Sequence, residues 1–130
     1  MSSRAAAITA CIAGLLAVIL GAFAAHALRE RLTAEQLAIW RTAVDYQFWH
    51  ALALFGVSIW TRQAAPRTHA RSKPLSIAAI AFAMGILLFC GSLYALALGA
   101  PRWTGAITPL GGVAFIIGWL SMLVAAWREH

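Results

Sequence analysis

The chain has 130 residues, 62% of them hydrophobic and 11% charged, with a net charge of +6. A soluble domain carries about half apolar and about a quarter charged residues, so this composition excludes a protein that dissolves in water. Nucleic acid is excluded as a partner, because the ten basic residues are scattered through termini and loops with no basic helix face or aromatic platform.

The first predicted element is an apolar helix over Ala5–Leu28. Arg4 and the small-residue triplets Ala22-Phe23-Ala24 and Ala25-His26-Ala27 resemble a signal peptide with its cleavage site. The apolar run, about 20 residues, exceeds the usual 7–15-residue core of such a peptide. Small residues at four-residue spacing, Ala6/Ala10/Gly14 and Ala13/Ala17/Gly21/Ala25, suit close helix packing, so the segment reads as a retained span.

Thr33-Ala34-Glu35-Gln36 is a capping box, in which each side chain satisfies the other residue's free backbone donor. The helix it opens is predicted to run unbroken through Gln47 and His50 to about Arg62, with its apolar span over 44–61. Glu35, Arg41 and Asp45, set among Leu37, Ile39 and Trp40, suit the headgroup region. Arg41 and Asp45, one turn apart, form an ion-pair candidate.

A polar loop, Arg62–Lys73, follows with Arg67, Arg71, Pro66 and His69. Pro74 is predicted to occupy the first turn of the third helix, Leu75–Leu98, where its missing N–H is tolerated. Gly99 then ends that helix as a C′ glycine, shortly before Pro101. Thr108 as N-cap and Pro109 as first helical residue open the fourth span, which closes at Trp127 before Arg128-Glu129-His130.

Each apolar segment has roughly the 18–24 residues needed to cross about 30 Å of hydrocarbon. The predicted fold is therefore all-α: a single domain, 1–130, forming an up-down-up-down four-helix transmembrane bundle. The second helix is extended at its outer end by an interfacial portion from about Thr33. Trp40, Trp49 and Trp103 are expected near one interface, Trp60 and Trp127 near the other, and Trp119 at mid-span as a packing residue. Six basic residues (Arg4, Arg62, Arg67, Arg71, Lys73, Arg128) face four (Arg29, Arg31, Arg41, Arg102), which places both termini in the cytoplasm. Cys11 and Cys90 read as small buried hydrophobes, and no CxxC points to a disulfide framework or zinc site.

Folding the spans into a bundle brings His26, Gln47, His50, Ser92, Tyr94 and Thr108 to similar depth in the outer half. Polar groups in hydrocarbon are costly and face a bundle interior or a wet cavity. Three readings follow: mutual hydrogen bonds that hold the helices together, a small binding pocket, or a metal or haem site on His26 and His50. The last has no third ligand at diagnostic spacing. Tyr46 and His50, one turn apart, are a further possible hydrogen-bonded pair. No nucleophile is paired with a base and no carboxylate lies deep in a span, so neither an enzyme nor a proton-coupled transporter is expected. No cofactor is implied, and the expected partners are the bilayer and a second copy of the chain, through small-residue faces such as Ala78/Phe82/Gly85.

The segments Gly21-Ala22-Phe23-Ala24-Ala25-His26-Ala27-Leu28, Thr42–Leu54, Gly91-Ser92-Leu93-Tyr94-Ala95-Leu96-Ala97-Leu98 and Gly105–Gly112 resemble, in order, the YgdD-like family (domain of unknown function four-two-three). Where that family's first motif reads GAFGAHGL, this chain has alanines for glycines, which keeps close packing at some loss of backbone freedom. The resemblance implies a small bacterial inner-membrane protein with four helices and brings no reaction. Two functions are carried forward: a structural or interaction protein in the bilayer, or a small-solute, ion or lipid binding or transport protein using the polar cluster.

Overall fold

The computed structural model describes residues 1–64 and 69–128. Pro66, Arg67, Glu129 and His130 lie outside the described residues, as do the side chains of His69 and Arg71. The first helix, α1, spans Ser3–His26, and Ser2 caps it by accepting from the Ala5 N–H at 3.2 Å. The second, α2, spans Ala34–Ala64, and its capping box forms: Thr33 N–H donates to Gln36 Oε1 at 3.0 Å, and Gln36 N–H to Thr33 Oγ1 at 3.2 Å. The third, α3, runs His69–Gly85, passes through a π-helical turn at Ile86–Cys90 and continues as α4, Gly91–Ala97. A short 3₁₀ helix, Arg102–Ala106, leads into α5, Thr108–Trp127. Among the described residues there is no strand.

Neighbouring helices are antiparallel. Gly21 of α1 lies against Val44 and Gly14 against Ala51. Tyr94 reaches Gln47, and Phe82 lies beside His50. Ser92 meets Thr108, and Phe82 meets Gly118. The N-terminal amine donates to Ser76 at 2.7 Å, and Arg128 lines a groove with Lys73, so both described termini and the start of α3 share one end. This is the up-down-up-down bundle.

Three segments, Ser3–His26, Lys73–Ala97 and Arg102–Trp127, are long and apolar enough to cross a membrane. Helix α2 falls short in apolarity, not in length, since 31 residues reach about 46 Å. It exposes an apolar face, Phe48, Trp49, Leu52, Phe55 and Ile59. It buries Trp40, Ala43, Gln47, His50, Ala51, Leu54, Val57 and Ser58. Polar groups on its inward face escape the cost they would carry in lipid.

Two kinds of close approach hold the helices. The buried face of α1 is all alanine: Ala6, Ala10, Ala13, Ala17 and Ala24. Against α5 the fit is rings into glycines. A Cβ at Gly85 would collide with the Phe115 ring, one at Gly118 with the Phe82 ring, and one at Gly111 with the Phe89 backbone. The face Ala78/Phe82/Gly85 is therefore filled within the chain and is not available to a second copy.

Local expectations were corrected at four places. Pro74 lies inside α3 because the helix begins at His69, and there it removes one backbone donor. Thr108 does not cap α5, because its hydroxyl is engaged with Ser92. Trp40 is buried within the bundle rather than turned out to the headgroups, and Cys11 is exposed while Cys90 is buried. The C′ glycine is as expected: Gly99 takes φ +91°, and Ala100 N–H to Ala95 O (2.9 Å) with Gly99 N–H to Leu96 O (3.0 Å) completes a Schellman motif.

Candidate functional site

The polar side chains of α2 are held in two hydrogen-bonded sets, and a third joins α4 to α5. In the first, Gln47 donates from Nε2 to the Ala13 carbonyl of α1 at 2.8 Å and accepts the Tyr94 hydroxyl on Oε1 at 2.8 Å. The Ala13 carbonyl can only accept, which fixes the amide orientation. One side chain thus ties three helices. Trp40 reinforces the joint, donating to the Leu20 carbonyl at 3.0 Å and meeting Tyr94 edge-on at 4.7 Å between ring centroids.

In the second set, His50 Nδ1 lies 2.7 Å from the Tyr46 carbonyl, and Trp119 Nε1 donates to His50 Nε2 at 3.3 Å. A carbonyl only accepts and an indole N–H only donates, so the ring carries its proton on Nδ1 and accepts on Nε2. Both nitrogens are engaged. Phe115 stacks on the imidazole at 3.6 Å, with Phe82, Trp119 and Tyr46 around it. The Tyr46–His50 link expected from their spacing runs through the Tyr46 backbone and ring, not its hydroxyl. The third set is short: Ser92 Oγ donates to the Phe89 carbonyl at 3.0 Å and meets Thr108 Oγ1 at 2.7 Å.

Five of the six residues singled out from sequence are therefore bonded within the bundle; the stack of Phe89 on Tyr46 at 4.6 Å joins the His50 and Ser92 sets, and Gln47 with Tyr94 forms a separate joint. His26 is not among them. It is exposed in the last turn of α1, off the helical phase of the buried alanines. Gly14 lies opposite Ala51, next to His50, and His26 is twelve residues farther along α1, about 18 Å at helical rise. The two histidines cannot share a metal or haem iron. Among the described residues no other group of three or more His, Cys, Asp and Glu side chains is placed to hold an ion.

Reading the sequence by polarity missed the aromatic partners. Trp119 could have been found, since an indole at mid-span needs an acceptor for its N–H. Phe115 and Phe82 carry no such signal. Among the described residues, every buried side-chain nitrogen and oxygen has a partner. Beside Gln47 and Tyr94, a lateral groove of about 450 Å³ opens between α1 and the π-helical turn, walled by Leu16, Ile86 and Cys90.

Four helices, three of them long and apolar enough to span a membrane and the second tied to its neighbours by polar bonds, define a small polytopic membrane protein. A family model described as a protein of unknown function (DUF423) matches residues 20–112. The chain belongs to that family. It is 44% identical over 119 residues to the UPF0382 membrane protein YwdK of Bacillus subtilis (strain 168), covering 92% of this chain and 93% of that protein. It is 39% identical over 132 residues to the UPF0382 inner membrane protein YgdD of Escherichia coli (strain K12), covering 98% and 93%. No solved structure matches the chain.

Proposed function

We propose that this membrane protein acts as a structural or interaction protein of the bilayer, and that its polar cluster serves cohesion rather than chemistry. The observation that carries the reading is that Gln47, His50, Ser92, Tyr94 and Thr108 all bond within the bundle, to one another, to Trp119 or to backbone carbonyls. In His50 both ring nitrogens are engaged, which leaves neither for a substrate or a metal. Catalysis has no support in this arrangement. A second reading, binding of a small membrane-soluble amphiphile, is favoured by the groove beside Gln47 and Tyr94.

A high-resolution map of the protein in lipid separates the two. Direct Tyr94–Gln47 and Trp119–His50 contacts are expected; ligand density between them would favour binding. Both termini face the cytoplasm in this account, on the basic-residue bias. Alkaline phosphatase fused to His130 should be inactive, and strong activity would reverse the orientation. The first partner to test is a second copy, using the outward apolar faces of α1 and α5; a monomeric mass in nanodiscs would remove it.

A further inference from the structure

A groove of about 410 Å³ runs between α3 and α5, away from the polar cluster. At its mouth stand Lys73, at the start of the third span, and Arg128, just past α5, both exposed. Below them the walls are Ile77 on one side and Val124, Leu120 and Ile117 on the other. The α5 residues follow at intervals of four, four and three from Arg128, so they share one helical face. From Arg128 to Ile117 is eleven residues, about 16 Å at helical rise. Half of a bilayer's hydrocarbon core is about 15 Å. The groove is thus one leaflet deep, cationic where headgroups lie and apolar toward the midplane.

We propose that this groove is a specific site for an anionic phospholipid, its phosphate held by Lys73 and Arg128 and one acyl chain laid along Ile77, Leu120 and Ile117. Charge complementarity selects the headgroup, and the depth match seats the chain. The site is independent of whether the polar cluster is structural.

Native mass spectrometry tests it on the full chain released from nanodiscs of equal phosphatidylcholine and phosphatidylglycerol with matched acyl chains. Phosphatidylglycerol should be retained roughly tenfold over phosphatidylcholine, as two basic groups at an anionic surface allow. In Lys73→Gln/Arg128→Gln the preference should fall to near parity. Leu120→Trp, which fills the groove from an outward-facing position, should reduce retention of both lipids. Equal retention by the wild-type chain would overturn the proposal, as would a preference that survives the double substitution or retention unchanged by Leu120→Trp. Displacement by inorganic phosphate, but not by sodium chloride of the same ionic strength, would assign the two cations to a free anion and overturn the lipid.

Discussion

His50 is the residue at which polarity and packing are hardest to separate. Its ring fills the space between Phe82 and Phe115 and accepts the Trp119 N–H. His50→Ala should therefore cost about 2 kcal/mol or more, from the cavity and the indole left unpaired. His26→Ala, at an exposed position, should stay within about 0.5 kcal/mol, and the double variant should be additive because the sites are far apart. Reversible unfolding in mixed micelles measures all three; strong non-additivity would put His26 back in the cluster. The sequence made the depth of Gln47, His50, Ser92, Tyr94 and Thr108 legible through the rule against polar groups in hydrocarbon. It misplaced His26 because depth was counted without helical phase, and two residues beyond buried Ala24 the side chain points away.

At the scale of elements, boundaries set by local chemistry were legible and those set by packing were not. The Thr33–Gln36 box and the Gly99 stop depend only on neighbours in sequence, and both form. Thr108 satisfies a local rule for a cap, yet a tertiary partner, Ser92, takes its hydroxyl. The π turn at Ile86–Cys90 had no sequence signal; it lies where Gly85 meets Phe115 and Phe89 meets Gly111. That interface should be the most sensitive to added methyl groups. Gly111→Ala would put a Cβ into backbone and should cost about 1–3 kcal/mol as overpacking. Gly56→Ala, with nothing near its Cβ, should be neutral or stabilising by up to about 1 kcal/mol, since alanine is the better helix former. Equal effects at the two sites, by thermal unfolding in detergent, would mean that α3 and α5 do not approach this closely.

For the whole molecule, four helices were legible from apolar length, but the unequal role of α2 was not. Its polar residues lower its hydropathy below that of the other three, and the structure shows why this is tolerated: Trp49, Leu52, Phe55 and Ile59 form its outward face, while Gln47 and His50 lie on its buried face and are hydrogen-bonded. The central claim is that those residues hold the bundle together. Gln47, which joins α1 and α4 to α2, tests it most directly through a double-mutant cycle of Gln47→Leu and Tyr94→Phe, with unfolding free energy measured in bicelles. Each single change should destabilise, and the coupling should be about 0.6–2 kcal/mol, the range for hydrogen bonds between membrane helices. Additive changes with unaltered stability would contradict the account and leave the pair free for a ligand.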